Sequence, residues 1–235
     1  MRLFLSDLHL EDPASTVFRS FSELLARESA HVSAIYLLGD LTEVWVGDDD
    51  DGALAVALEE VLRQAARHCR IFLMHGNRDF LLGSAFADRT GCTLLEDPHT
   101  LDDHTLLSHG DAFCTDDEAY QQMRTLFRSR EWQQDILSRS LQERRALAEQ
   151  LRAESSQANA NKAQNIMDVS LREVDRIATA GGSRRIIHGH THRPGRHDRP
   201  WGRRYVLGAW ERCGWLARQA EPGSEPELIC FPLRD

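Results

Sequence analysis

Cysteine is scarce in this sequence, and the few cysteines form no paired motif. There are five, an odd number, and none belongs to a C-x-x-C: Cys69, Cys92, Cys114, Cys213 and Cys230. This pattern argues against a disulfide framework and against a thiolate zinc site. It is typical of a protein in a reducing compartment, where most cysteines act as small apolar side chains.

Long apolar runs and an excess of positive charge are absent as well. The first apolar run, Leu3–Leu5, is too short for a signal peptide, and no segment has the length of a transmembrane helix. The net charge of −9 argues against a general nucleic-acid binder. We therefore expect a cytoplasmic protein with no nucleic-acid partner, whose 235 residues form one large domain or a domain with an insertion.

Short apolar runs alternate with amphipathic segments in the first third of the chain. The runs Leu3–Leu5, Ile35–Leu38 and Ile71–Met74 predict buried strands, and Ala14–Ser29 and Leu54–Arg67 predict helices. This order indicates βαβ units around a parallel sheet. The runs end in the polar clusters SDLH, GDLTE and HGNRD. Ligands of open α/β sheets gather at that place, beyond the carboxyl ends of the strands.

The middle of the chain has a different composition. Residues 116–180 contain no glycine, no proline and no strand pattern. We predict that they form a helical insertion in a core made of residues 1–115 and 181–235. Between Arg124 and Arg152, seven arginines stand against four acids, which we interpret as a cationic outer face. Such a face is usually an ordinary solvated surface; alternatively, it attracts anionic lipid headgroups or a phosphorylated substrate.

Seven potential metal ligands directly follow apolar runs. The motifs in chain order are DLH, GD, GNR, HGD and GHTH. They supply two aspartates, one asparagine and four histidines: Asp7, His9, Asp40, Asn77, His109, His190 and His192. We expect D-x-H and H-x-H to place both side chains on one side of an extended segment. Each residue alone has an ordinary structural explanation, whereas the ordered set indicates a metal site.

The donor set is too large for one tetrahedral zinc ion and suffices for two cations if Asp40 is shared. Imidazole, carboxylate and amide donors together suit Mn²⁺, with Fe²⁺, Co²⁺ or Zn²⁺ as substitutes. Two such cations can share a bridging hydroxide and hold a phosphoryl group for in-line attack. The set therefore favours hydrolysis at phosphorus.

The ordered motifs resemble those of the calcineurin-like metallophosphoesterase superfamily. The resemblance implies an α/β fold with two packed mixed β-sheets flanked by helices. It also implies two metal sites that share one aspartate: Asp7, His9, Asp40 and His192 for the first, and Asp40, Asn77, His109 and His190 for the second. We assign Glu43 a supporting role beside these ligands.

Arg78 departs from the common superfamily pattern, in which a histidine follows the Gly-Asn pair and helps to protonate the leaving oxygen. The chain has Gly76-Asn77-Arg78-Asp79 instead. Arginine does not give up a proton at working pH, but it stabilises charge on a phosphoryl oxygen. A phosphate leaving group needs no proton donor, because it is already a weak base. The substitution therefore favours a phosphoanhydride over a phosphoester.

With that restriction, the chain resembles the UDP-2,3-diacylglucosamine hydrolase branch, through SDLHL, GDLTEVWVGDDD, HGNRDFLL, SHGD, RAESSQANANKAQNIMDV and IHGHTHRP. The resemblance implies attack on the α-phosphorus of an acylated UDP-sugar, with a helical lid around the acyl chains. It also implies a peripheral position on the cytoplasmic face of the inner membrane, and we expect a monomer. Asn77 and Arg78 are the expected catalytic residues.

Seven substrate contacts follow from the same resemblance: Asn77, Arg78, Asp117, Ser155, Asn159, Lys162 and His190. Ser155, Asn159 and Lys162 would share one face of a helix, and Lys162 is the only lysine of the chain. Two alternatives stay open. One is a nucleotide or phosphodiester hydrolase of the same superfamily, which would not need a large apolar lid. The other is a metal-free scaffold, which the complete ligand set disfavours.

Overall fold

The computed structural model describes residues 1–160 and 168–234, with side chains up to Ala153 in the first range. One β-sheet has six strands: β1 Arg2–Leu5, β2 Ala34–Leu38, β3 Arg70–Met74, β4 Thr93–Leu95, β10 Cys213–Gln219 and β11 Glu227–Pro232. Their order is β11-β10-β1-β2-β3-β4. Strands β1 to β4 are parallel, and β10 and β11 pair antiparallel.

The second sheet has five strands: β5 His99–Thr100, β6 Thr105–Ser108, β7 Arg185–His188, β8 Gly195–Arg199 and β9 Gly202–Val206. Their order is β5-β6-β7-β9-β8, with parallel pairs in the middle and antiparallel pairs at both edges. The prediction of two mixed sheets is therefore confirmed.

The strands of the first sheet are apolar on both faces because both faces are covered. Phe4 and Tyr36 pack between the two sheets, in one cluster with Leu107 and Ile187 of the second sheet. Leu3 and Leu5, which point the opposite way, pack against the helices on the outer face. Continuous apolar runs are what strands with two buried faces require.

Three helices cover that outer face: α1 Thr16–Glu28, α2 Ala53–Ala66 and α3 Ser84–Thr90. The first two are the predicted helices, with ends shifted by one or two residues. Helix α1 begins after Ser15, whose side chain accepts a hydrogen bond from the backbone N–H of Phe18. Helix α3 was not predicted, because its seven residues are too few for a clear helical periodicity.

Between β6 and β7, the described residues include the α-helices α4 Glu118–Phe127, α5 Arg130–Leu137, α6 Leu141–Ala160 and α7 Leu171–Ala180. Val174 and Ala178 of α7 pack with Leu106 and Ile186 on the outer face of the second sheet. Residues of α4, α5 and α6 instead line a cavity beside the loops that follow β2, β3 and β7. In the part of the chain that the structure describes, no helix is both long and apolar enough to cross a bilayer.

Three of the seven arginines between Arg124 and Arg152 lie buried or half-buried against the core, and the other four, Arg130, Arg139, Arg145 and Arg152, are exposed. The predicted cationic outer face is therefore smaller than the local charge count indicated. Arg144 is buried and pairs with Asp49, and Arg124 and Arg128 pair with the buried Asp111. The acids that neutralise these arginines come from distant parts of the chain, which the local charge count did not include. The basic side chains therefore attach the helices to the core.

Candidate dimetal centre

The predicted ligands occupy sharp turns at the carboxyl ends of strands. Among the described residues, six that are not glycine have positive φ, and five of them are predicted ligands: Asp7 (56°), His9 (48°), Asp40 (51°), His190 (66°) and His192 (54°). This left-handed conformation costs roughly 1–2 kcal/mol per residue and clusters at functional sites. The D-x-H and H-x-H motifs are therefore not extended, and our expectation that they would be was wrong. The backbone turns bring both side chains of each motif to the same place.

The first predicted metal site is a compact group of donor atoms. His9 Nε2 lies 3.3 Å from His192 Nε2, and His192 Nε2 lies 3.4 Å from Asp7 Oδ1. One donor atom from each of these three residues lies within 4.8 Å of the other two. Asp40 Oδ2 lies 3.9 Å from His9 Nε2. The structure thus brings all four predicted ligands of the first site together.

The second predicted site lies directly beside the first. Asn77 Oδ1 is 3.1 Å from His109 Nε2 and 2.9 Å from His190 Nδ1. Asp40 Oδ2 is 3.7 Å from His109 Nε2, so the same oxygen faces histidines of both sites. Asp7 is also within reach of both groups, since it clusters with Asp40 and His109 within 4.8 Å. The assignment of Asp40 as the shared ligand stays a prediction.

Hydrogen bonds on the far side of the rings fix which histidine nitrogen faces the site. His109 Nδ1 lies 3.0 Å from the carbonyl of Leu38, which can only accept, so Nδ1 carries the proton. His9 Nδ1 lies 2.7 Å from the Glu43 carboxylate and donates in the same way. Both Nε2 atoms face the carboxylates, and they are the nitrogens left to bind a metal once they lose their protons, as metal-ligating histidines require.

Asp79 holds the loops together and was not singled out from the sequence. It is buried, and its carboxylate accepts hydrogen bonds from the backbone N–H groups of Leu41 (2.7 Å) and Gly76 (2.7 Å). It thereby joins the loop of Asp40 to the loop of Asn77. One feature of the sequence could have drawn attention to Asp79: it is an acidic residue in the same polar cluster as Asn77, and it is not one of the predicted ligands.

Two glycines allow the loops to approach this closely. A Cβ at Gly76 would lie 2.0 Å from Asp40 Oδ1, and one at Gly189 would lie 2.1 Å from Asp7 Oδ2. Any side chain at either position would displace a predicted ligand. The glycines of the GNR and GHTH motifs therefore serve the packing of the loops.

The electrostatics of the site fit a cation. Asp7 and Asp40 are buried, and their ion pairs within the described residues involve histidine alone. Burial lowers the pKa of His109, but the carboxylates of Asp40 and Asp7 outweigh it and raise that pKa to about 9. Burial and the neighbouring His109 lower the pKa of His190 to about 4, whereas nearby carboxylates favour the protonated forms of His9 and His109. Divalent cations would replace those protons.

A cavity of about 620 Å³ opens beside the donor atoms. Asn77, Arg78, His190 and His192 line its polar end. The remainder is lined mainly by apolar side chains, several of them from α4 to α6: Trp45, Val46, Phe80, Leu81, Met123, Phe127, Trp132, Ile136, Leu147 and Leu151. The cavity therefore combines polar, ligand-capable groups at one end with mainly apolar walls in the remainder.

The structure brings some of the other predicted substrate contacts to this cavity. Arg78 lines it with a quarter of its side chain exposed, and its Nη1 lies 3.6 Å from Glu43 Oε1. Asp117 lines it too, although its Oδ1 accepts from the Tyr120 N–H and so also begins α4. The side chains of Ser155 and Asn159, and all of Lys162, lie outside the described residues.

Comparisons with known proteins agree with this geometry. A family model described as calcineurin-like phosphoesterase matches residues 2–194. The UDP-2,3-diacylglucosamine hydrolase of Cellvibrio japonicus is 45% identical over 230 residues, which cover 94% of this chain and 95% of its own. That of Pseudomonas aeruginosa is 44% identical over 221 residues, covering 91% and 92%.

A solved archaeal phosphodiesterase is similar in fold, with a TM-score of 0.51 over 98% of this chain and 99% of its own at 14% identity. At that identity the likeness concerns the fold alone. The family match and the curated relatives carry the assignment further. The chain belongs to the calcineurin-like phosphoesterase family, and within it to the group of the UDP-2,3-diacylglucosamine hydrolases.

Proposed function

We propose that this protein hydrolyses the pyrophosphate bond of UDP-2,3-diacylglucosamine, releasing UMP and 2,3-diacylglucosamine 1-phosphate (lipid X), a step of lipid A biosynthesis. The observation that carries the proposal is the continuity of the candidate dimetal centre with a large apolar cavity. Curated relatives at 44–45% identity are named for this activity. A substrate with a diphosphate at one end and two acyl chains at the other matches both halves of the site.

The two acyl chains would occupy the apolar part of the cavity. Phe127 and Trp132 line it from the helical insertion, and Phe80 lines it from the loop after β3. We propose that α4 to α6 form the lid of the insertion 116–180, over a core of residues 1–115 and 181–235. Burial of acyl methylenes contributes about 0.8 kcal/mol each, which favours a diacylated ligand over a small soluble nucleotide.

Two divalent cations would be held by the two donor groups of the candidate centre: Asp7, His9, Asp40 and His192, and Asp40, Asn77, His109 and His190. We propose Mn²⁺ for both, because mixed imidazole, carboxylate and amide donors suit it. When bound, such ions supply water of low pKa and neutralise charge on phosphoryl oxygens. The neutral Asn77 limits negative charge in a site that has to accept an anion.

Arg78 would bind a phosphoryl oxygen at the polar end of the cavity. Its guanidinium stays protonated throughout, so it can stabilise charge but cannot protonate a leaving group. Attack on the α-phosphorus expels a sugar phosphate, which needs no proton. Asp117, Ser155, Asn159, Lys162 and His190, together with Asn77, stay proposed as the remaining substrate contacts.

We also propose that the protein is a monomer that associates peripherally with the cytoplasmic face of the inner membrane. Leu126 and Leu137 expose 53% and 43% of their surface on the lid helices, where apolar side chains are normally covered. Arg130, which begins α5, is exposed on the same helices. Exposed leucines next to a basic residue suit the edge of an anionic bilayer. Sedimentation with anionic vesicles measures this association.

The activity is tested with Mn²⁺-loaded protein and the diacylated UDP-sugar in ¹⁸O-labelled water. We expect UMP to form and to carry the label, as attack on the α-phosphorus requires. Label in the sugar phosphate would show that the point of attack is wrong. Cyclic nucleotides and a model phosphodiester serve as comparison substrates. Faster turnover of either would favour the nucleotide or phosphodiester hydrolase instead.

A further inference from the structure

The loop that carries Asn77 and Arg78 contacts the lid at both of its ends. At one end, Arg128 Nη2 donates a hydrogen bond to the carbonyl of Gly76 at 3.0 Å. At the other end, the ring of Phe80 stacks on Phe127 with centroids 5.8 Å apart. Consecutive residues at the end of α4 thus hold both sides of this short loop.

Arg128 also contacts the loop that carries His109. Its Nη2 lies 3.4 Å from Oδ2 of Asp111, two residues after His109. Asp111 is fully buried, and the same oxygen accepts from Arg124 Nε at 2.7 Å and from the Tyr120 hydroxyl at 2.9 Å. Tyr120 and Arg124 belong to α4, and Arg128 directly follows its last residue. The carboxylate therefore joins the HGD loop to the lid.

A single guanidinium accordingly contacts two loops that follow strands of different sheets. Gly76 follows β3 in the first sheet, whereas Asp111 follows β6 in the second. Asn77 Oδ1 and His109 Nε2 are 3.1 Å apart across this boundary. The distance between Asn77 and His109 depends on the contacts that hold their two loops together, and Arg128 contacts both loops.

We propose that Arg128 is a positioning residue for the second metal, holding the loops of Asn77 and His109 at ligand distance. The inference rests on the proposed function in taking these two residues as ligands of one cation. It makes the lid part of the metal site as well as a cover for the substrate. Because coupling between two equilibria is reciprocal, the second metal strengthens docking of the lid, and a docked lid strengthens binding of that metal.

A merely structural role for Arg128 predicts something different. Loss of a contact that only stabilises the fold would weaken both metals together, or lower the free energy of unfolding without changing either. The first site should depend less on this contact. It shares Asp40 with the second site, but His9 and His192 follow other strands, and their ring nitrogens lie 3.3 Å apart. Selective loss at one site is therefore the property to measure.

The experiment is a titration of the metal-free full-length protein with Mn²⁺ alone, without substrate, followed by calorimetry and by electron paramagnetic resonance. Arg128→Met removes the donor and keeps the apolar stem, and Arg128→Lys can still donate to the Gly76 carbonyl. Arg139→Met is the matched control, because Arg139 pairs with Asp135 of its own segment and lies on the surface. Circular dichroism checks that each variant is folded.

We expect Arg128→Met to bind the second Mn²⁺ at least about 10-fold more weakly, in the range found for residues that support metal ligands, and the first Mn²⁺ within about two-fold of the wild type. Arg128→Lys should recover most of the loss, and Arg139→Met should bind both ions normally. Equal affinities for both ions in Arg128→Met and the wild type would overturn the inference, as would equal weakening of both. If the lipid substrate is not hydrolysed, this titration still decides the role of Arg128.

Discussion

Glu43 accepts a hydrogen bond from Nδ1 of His9 at 2.7 Å. Burial favours the protonated form of Glu43, but this hydrogen bond and the nearby Arg78 outweigh burial and hold its pKa below the usual range. The ionised carboxylate orients the His9 ring, so that Nε2 faces Asp7 and Asp40. Glu43 thus connects a predicted ligand of the first metal with the predicted phosphate-binding arginine.

Replacement of Glu43 by Ala should weaken the first metal. The His9 ring would lose the acceptor that fixes its tautomer, and such supporting partners typically contribute about 10–100-fold to metal affinity. Titration with Mn²⁺ should show a weaker affinity for one of the two ions and an unchanged affinity for the other. Glu43→Gln keeps an acceptor and should lose less. Unchanged binding in Glu43→Ala would mean that Glu43 acts only on its arginine partners, Arg78 at 3.6 Å and Arg152 at 3.2 Å.

Asp40→Ala should remove both cations. Oδ2 of Asp40 faces His9 and His109 at 3.9 and 3.7 Å, so it adjoins both donor groups. Metal content after loading with Mn²⁺ and desalting measures the effect. The matched control is Asp198→Ala, because the Asp198 side chain is 75% exposed on the edge strand β8. Retention of two fully occupied ions in Asp40→Ala would contradict its role as the shared ligand.

Arg78→Ala should slow turnover without changing metal content. Arg78 lines the polar end of the cavity, and its guanidinium lies 3.6 Å from Glu43, which is not a predicted metal ligand. The backbone N–H of Arg78, which alanine keeps, donates to Asp40 Oδ1 at 2.8 Å. Loss of a preorganised donor to a phosphoryl oxygen raises the barrier by about 2–4 kcal/mol. Steady-state kinetics should therefore show a lower kcat, and Arg78→Lys should restore part of it. An unchanged kcat would leave Arg78 with a role in loop structure only.

The Asp49–Arg144 pair should control opening of the lid. Arg144 lies in α6, and its Nη1 donates to Asp49 Oδ1 at 2.7 Å. The hydrogen bond from Arg144 lowers the pKa of Asp49 below its ordinary 3.8. Because the folded-state pKa is depressed, the pair is intact above pH 3.8 and is lost as the pH falls through the lowered value.

Hydrogen exchange across 141–153 measures that opening. Asp49→Asn should accelerate exchange there at neutral pH, while the wild type should show faster opening only in acid. Asp135→Asn serves as the control, since Asp135 pairs with Arg139 four residues away and not with the core. Equal protection of α6 in Asp49→Asn and the wild type would show that other contacts hold the lid.

Three strands that local patterns do not predict, β4, β5 and β8, are short or polar. Strand β5 has two residues and β4 three, too few for a period to be recognised. Strand β8, with sequence GRHDR, is mostly exposed and exists because it pairs with β9 at the sheet edge. Strand formation at such positions depends on a neighbour and not on intrinsic propensity, so local patterns carry little information about it.

The sequence by itself determined the order of strands and helices, the donor residues and the chemistry that they favour, because apolar periodicity and residue type are local properties. Only the tertiary structure decided how the ligand loops turn and what the lid arginines contact. The left-handed turns at Asp7 and His190 are held by surrounding loops, and the Asp49–Arg144 partners stand 95 residues apart. Such contacts form only when distant segments of the chain meet. The sequence therefore shows the charge of each side chain but not which partner that side chain faces.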